Sequence, residues 1–180
     1  MDEHFIRSKT ISLRLVTVND AAFIHSLRVD DKLNKHISKV TGTVEEQRNW
    51  IEKYKVREKA KQEFYFLIIK NKSSKPIGTV RIYGIKGDSE FCWGSWILND
   101  NKTVTSALES AYLVYKFAFE IMGYNSAYFQ VDNANLPVIS FHKKTGATLI
   151  DHDETNHNFS YEKKAYADFK EKYTNILEGK

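Results

Sequence analysis

Along this chain the apolar positions switch between a period of two and a period of three to four, and the switches mark the elements. Ile11-Ser12-Leu13-Arg14-Leu15-Val16 alternates apolar and polar, the signature of a half-buried strand. Asn19 or Asp20 can cap a helix over Ala21 to Arg28, and residues 30 to 42 read as a polar loop with a short helical piece. Thr43-Val44-Glu45-Glu46 has the spacing of a capping box, and predicts a helix to about Lys59 that buries Val44, Trp50, Ile51, Tyr54 and Val56. Phe64 to Ile69 is a continuous apolar run, which reads as a strand buried on both faces. Turn chemistry at 71–76 and 86–89 separates it from strands at Ile77 to Ile85 and Glu90 to Leu98, giving an antiparallel meander.

Leu108, Ala111, Tyr112, Tyr115, Phe119 and Met122 then form one helical stripe, ended by Gly123. Ser126 to Val131 reads as a strand and Leu136 to Lys144 as a helix that stops at Gly146. Thr148 to Ile150 is again strand-like. Asp151 to Asn158 reads as a polar turn, Phe159 to Tyr166 as a last strand and Ala167 to Leu177 as a terminal helix. A strand, a helix and a strand between residues 89 and 131 demand a crossover, so two strands there run parallel. The expected fold is α/β: a mixed, mostly antiparallel twisted sheet with helices on both faces, in a single domain over residues 1–180.

Composition narrows the function classes. Hydrophobic residues at 42% suffice for a core without a disulfide or metal staple, and the lone Cys92 excludes an intramolecular disulfide and a cysteine-based metal site. A net charge of +4, scattered along the chain, is too weak to mark a nucleic-acid surface. The opening Met1-Asp2-Glu3-His4-Phe5-Ile6-Arg7 has no apolar core of a secretory signal. The most apolar stretch, Ala107 to Met122, is interrupted by Glu109, Lys116 and Glu120, so no membrane span is expected. The expected setting is the cytoplasm, with neither a nucleic-acid nor a membrane partner.

Two segments resemble the GNAT superfamily of acyl-CoA-dependent N-acetyltransferases, and the likeness spans residues 10 to 166. One is Trp93-Gly94-Ser95-Trp96-Ile97-Leu98 running through to Phe117-Ala118-Phe119-Glu120-Ile121-Met122-Gly123. The other, Asn135-Leu136-Pro137-Val138-Ile139-Ser140-Phe141-His142-Lys143-Lys144-Thr145-Gly146-Ala147, resembles the family's helix beside the cofactor. The resemblance implies direct acetyl transfer from acetyl-CoA to a primary amine, by a monomer or homodimer. It implies cofactor contacts from Leu98, Lys102, Thr103, Val104, Thr105, Ser106 and Ala107, and from Asn135 on the pantetheine arm.

The first segment departs from the family at its pyrophosphate loop. Lys102-Thr103-Val104-Thr105-Ser106-Ala107 stands where the family has a glycine-rich run, with Thr105 in place of the central glycine. Backbone amides at a helix N-terminus must point at phosphate oxygens there, and glycine serves because it accepts a positive φ. Either this loop takes another path, or the Thr103, Thr105 and Ser106 hydroxyls supply the donors the amides lose. A polar helix cap without ligand is the plain alternative.

His142 falls on the family's tyrosine, taken to protonate the departing thiolate. Two readings stand: an imidazole in that role, or a helix-surface histidine beside Lys143 and Lys144. Glu90, at the head of its strand, is the candidate base; a solvated strand-end carboxylate is the plain alternative. Asp132 reads as a turn former, and Cys92 as a small buried hydrophobe. Trp93 and Trp96, three apart, face opposite ways unless a bulge intervenes, and the family typically has one on this strand. With the bulge at Gly94, one tryptophan lines the acceptor pocket and the other packs into the core.

Acceptor specificity is expected from residues 28 to 45 and from the 151–158 turn, with Arg28, Tyr83, Trp93 and Trp96 as substrate contacts. The His and Asp density in those segments has no metal-site spacing. Leu27-Arg28, Asn34, His36 and the Gln47/Trp50 helix resemble both GNAT enzymes acting on nucleotide-linked amino sugars and the ribosomal-protein N-terminal acetyltransferases; the net charge of +4 and the two strand tryptophans suit a phosphate-bearing, ring-shaped acceptor, so the small-molecule sugar is the expectation. A peptide amine, in a ribosomal-type protein N-terminal acetyltransferase, is the alternative. A non-catalytic acyl-CoA-binding module is the rival from another class.

Overall fold

The computed structural model describes residues 6–37, 40–87 and 89–178. Asp88 of the expected 86–89 turn, Ser38 and Lys39 of the 30–42 loop, and Met1 to Phe5 lie outside the described residues. Among the described residues eight strands form one sheet: β1 (Ile6–Arg7), β2 (Ile11–Leu15), β3 (Phe64–Lys70), β4 (Lys75–Lys86), β5 (Glu90–Leu98), β6 (Ser126–Asp132), β7 (Thr148–His152) and β8 (Asn156–Glu162). Their order across the sheet is β1-β2-β3-β4-β5-β6-β8-β7. Every pairing is antiparallel except β5 with β6, which the crossover requires to be parallel. The expected mixed α/β sheet is what forms.

Helices cover both faces. On one side lie α1 (Ala21–Val29) and α2 (Val44–Lys59), against Tyr65, Leu67 and Ile69 of β3. On the other lies α3 (Ser106–Tyr115), against Phe66 and Ile68 of β3 and Val80 and Ile82 of β4. Alternate residues of β3 thus feed two cores, which is why its run is apolar without a break. Helices α4 (Leu136–Lys144), α5 (Lys163–Lys172) and α6 (Thr174–Leu177) complete the chain. The capping box of α2 is made: Thr43 Oγ1 accepts from Glu46 N (3.2 Å), and Glu46 accepts from Thr43 N (2.7 Å). No helix among the described residues is long and apolar enough to cross a membrane.

The structure corrects several expectations. Val44 and Val56 are exposed, and Gln47 takes the buried place on α2 instead. The stripe from Leu108 to Met122 is α3 followed by a π turn over Lys116–Ile121, where Met122 N bonds Phe117 O. The polar stretch 151–158 is the heart of a β7–β8 hairpin rather than a turn, and the expected terminal helix over Ala167 to Leu177 is two, α5 from Lys163 and α6 from Thr174.

Candidate active site

Strands β5 and β6 pair over three residues only: Glu90 with Ser126, Phe91 with Ala127 and Cys92 with Tyr128. Beyond Cys92 they diverge and a wedge opens between them. The cause is a bulge on β5. Arg81 of β4 faces Gly94 and Thr79 faces Ile97, so Val80 alone stands opposite both Ser95 and Trp96. Ser95 takes the left-handed turn of this bulge at φ +48°, one residue after the expected Gly94. Gly94 is needed for another reason: a Cβ there would lie 3.1 Å from the Tyr83 hydroxyl, which rests over the strand.

The extra residue puts Trp93 and Trp96 on one face, with ring centroids 5.4 Å apart. Trp93 Nε1 donates to Tyr115 Oη (3.3 Å) and Trp96 Nε1 to Ser110 Oγ (3.0 Å), both on α3. The expected division, one tryptophan for the acceptor and one for the core, is therefore not found. Both stand on the α3 side and wall the wedge, together with Phe129 to Asp132 of β6 and Asn135, Val138 and His142 around α4.

His142 is buried, not on the helix surface. Its ring sits 4.3 Å from Phe129 and 5.4 Å from Trp93, and its Nδ1 has no hydrogen-bond partner. Burial pushes its pKa down to about 3, so the ring is neutral at physiological pH. As a proton donor it offers an N–H, not an imidazolium.

The Lys102–Ala107 loop resolves the glycine question. Non-glycine residues with positive φ among those described are Lys61, Ser74 and Ser95, so this loop runs entirely through backbone that any residue adopts; Thr105 has φ −98°. Its hydroxyls are not free for a ligand. Thr105 Oγ1 donates to Glu109 (2.6 Å), Thr103 Oγ1 meets Ser106 Oγ (2.8 Å) and Thr10 Oγ1 (2.9 Å), and Ser106 Oγ accepts from Thr103 N (2.8 Å). Buried Glu109 also accepts from Thr10 N at 2.7 Å. The side chains hold the loop; Ser106 and Glu109 amides bond Thr103 and Thr105 carbonyls, which leaves Ala107 and Leu108 amides at the helix end for an anion. Lys102 is exposed beside them, Val104 is wholly exposed, and Leu98 ends β5 opposite Gly78.

On the opposite face of the sheet lies a cavity of about 400 Å³, walled by Arg28 of α1, Gln47 and Trp50 of α2, Tyr65 of β3 and Arg81 of β4. Arg81 is the register partner of Gly94, so this cavity adjoins the bulge. Its guanidinium lies 5.2 Å from the Trp50 ring and 5.1 Å from the Tyr83 ring, and pairs with buried Glu63, which Arg57 also bonds (2.6 Å). The Tyr65 hydroxyl and Arg81 Nε are buried here without partners. Helical spacing alone puts Trp50 in the core, while the acceptor resemblance names it with Gln47; its ring edges this cavity.

Glu90 is not brought to the wedge. It stands at the closed end of the β5–β6 pair, tied to Lys86 (3.1 Å), four residues or about 13 Å short of Gly94 along the strand. The Cys92 thiol is buried, and its pKa is raised by that burial, which leaves it a poor nucleophile. Asp132 forms the expected turn, accepting Ala134 N (2.8 Å) on one oxygen, while the other meets His36 Nδ1 at 2.9 Å across the mouth of the wedge.

The chain as a whole is similar to known proteins. The family model for the acetyltransferase (GNAT) domain matches residues 10–148. Apo FdhC, a nucleotide-linked sugar GNAT, is 44% identical with a TM-score of 0.91, covering 97% of this chain and 99% of its own. Spermidine N-acetyltransferase from Vibrio cholerae, in complex with CoA and spermine, shares the fold at 15% identity and a TM-score of 0.76, over 88% of this chain and 98% of its own. A putative ribosomal-protein-serine acetyltransferase from the same organism does so at 16% and 0.74, over 89% and 98%. No curated protein matches the chain. With the family model spanning most of the sequence, and the wedge, bulge and helix end in place, this chain belongs to the GNAT acetyltransferase family.

Proposed function

We infer that this protein transfers an acetyl group from acetyl-CoA directly to the primary amine of a nucleotide-linked amino sugar. The observation that carries the reading is the meeting of two clefts at Gly94. The wedge lies on the α3 side, and the cavity with two arginines and an aromatic wall lies on the α1–α2 side. FdhC, the 44% identical relative, is a nucleotide-linked sugar GNAT, which supports the same acceptor class.

The residues present fit an acyl-CoA. Ala107 and Leu108 amides with Lys102 suit the diphosphate; the wedge between β5 and β6 suits the pantetheine arm, with Asn135 at its side. Acetyl-CoA supplies an activated thioester with a good leaving group. The bulge takes Ser95 and Trp96 out of the β4 ladder, which frees β5 backbone donors for the charge that develops on the carbonyl oxygen. His142, neutral and with a partnerless nitrogen in the wedge, donates or accepts a hydrogen bond at the sulfur without carrying charge. On the acceptor side, Arg28 and Arg81 suit phosphate oxygens, and Trp50 and Tyr65 suit a ring. The reading places the enzyme in the cytoplasm.

The test is turnover of acetyl-CoA, followed by thiol release, with a panel of nucleotide-linked amino sugars, the same sugars free, and peptides. The nucleotide-linked sugars are expected to give the highest kcat/KM. Equal rates on the free sugars would remove the role of the two arginines, and a preference for peptides would replace the acceptor class.

A further inference from the structure

We propose that His36, held by Asp132, is the general base that takes the proton from the acceptor's ammonium group. This rests on the amine-acetylating reading above and adds the residue that makes the amine nucleophilic, for which Glu90 is out of place.

The two side chains are 96 positions apart in the sequence. His36 lies in the loop after α1, and Asp132 is the last residue of β6. They meet at 2.9 Å, with side chains 21% and 39% exposed, and both line the wedge together with Gly94 and Ser95. Asp132 is fixed by the turn it makes with Ala134 N, so its second oxygen is aimed rather than mobile. An ionised carboxylate only accepts, so it selects the tautomer with hydrogen on Nδ1 and leaves the lone pair on Nε2. The bond to His36 is also the leading cause that holds the Asp132 carboxyl below its usual range, which keeps it ionised. Lys35 and Glu154 are the other charged groups around the pair, from the same loop and from the β7–β8 turn.

The proton count closes. The ammonium gives one proton to His36 Nε2, which later passes it to solvent. The freed amine forms the N–C bond as the C–S bond breaks. Of its two remaining protons, one goes to the leaving thiolate and one stays on the amide.

His36→Gln keeps a polar side chain of similar reach that cannot take the proton. With the amine the wild type acetylates fastest, kcat is expected to fall about a hundredfold or more, the range of a general base. The KM for acetyl-CoA and the thermal midpoint should hold, and the ascending limb of the pH profile should give way to a rise with hydroxide. Asp132→Asn is expected to lower kcat about tenfold and, in nitrogen NMR of labelled histidines, to abolish the Nδ1-protonated state that the wild-type His36 shows. A His36→Gln enzyme within about threefold of wild type, or a wild-type His36 protonated on Nε2, overturns the proposal. A wild type that prefers peptides overturns only the acceptor class, and one that acetylates no amine overturns both.

Discussion

Trp93 and Trp96 share one face of β5, 5.4 Å apart, because Ser95 between them adopts a left-handed backbone. A strand without that residue would send the second ring to the other face and close the wedge against β6. The divergence of β5 from β6 therefore depends on one strained serine.

Serine at positive φ costs on the order of 1 kcal/mol, which glycine does not incur. Ser95→Gly is expected to raise stability by about 0.5 kcal/mol or more in urea unfolding, with acetyl transfer retained, after glycine's own entropy cost is set against the relief. Ser95→Val, β-branched, should lose both stability and turnover.

His142 links stability to pH. Its folded pKa of about 3 lies below the unfolded value near 6.5, so the unfolded chain binds a proton that the folded one refuses. The stability tied to its neutral form is complete above about pH 6.5 and is lost as pH falls toward 3. Between pH 7.5 and 4.5 the wild type is expected to lose about 2–3 kcal/mol more than His142→Phe, read from urea midpoints. The phenyl ring also removes a buried, partnerless nitrogen, so His142→Phe should be no less stable than wild type at pH 7.5.

Glu109 frames the glycine-free loop. Glu109→Gln turns one acceptor into a donor facing Thr10 or Thr105, and is expected to cost about 1–3 kcal/mol. Acetyl-CoA affinity by calorimetry should fall with it. Unchanged affinity would show that the loop holds its path without the carboxylate.

The proposed acceptor role of the cavity beside Trp50 can be tested apart from the cofactor. Trp50→Leu keeps an apolar wall and removes the ring over which Arg81 lies. The acceptor KM is expected to rise about tenfold, roughly 1.4 kcal/mol, with acetyl-CoA affinity unchanged.

Much of this was legible in the sequence because hydrophobic period reports burial. Phe64 to Ile69, buried on both faces, and the capping box at Thr43 read directly. Features without an apolar signature did not. Thr148 to Ile150 read as strand, but the polar ends of β7 and β8 that meet at 151–158 carry no apolar alternation and read as a turn. Glycine is the usual sign of a bulge, so the sequence points to Gly94, one residue before Ser95, and gives no sign that both tryptophans share a face. Threonines 10, 103 and 105 meet around Glu109 only once β2 is set beside α3. His36 and Asp132 are separated by 96 residues and by the whole crossover, which no local spacing can bridge.

The most direct measurement is mass spectrometry of a nucleotide-linked amino sugar incubated with acetyl-CoA and the purified protein. The account expects the sugar to gain one acetyl group on nitrogen, with one equivalent of free thiol released. Thiol release without a heavier sugar, or acetylation of peptides in its place, would contradict it.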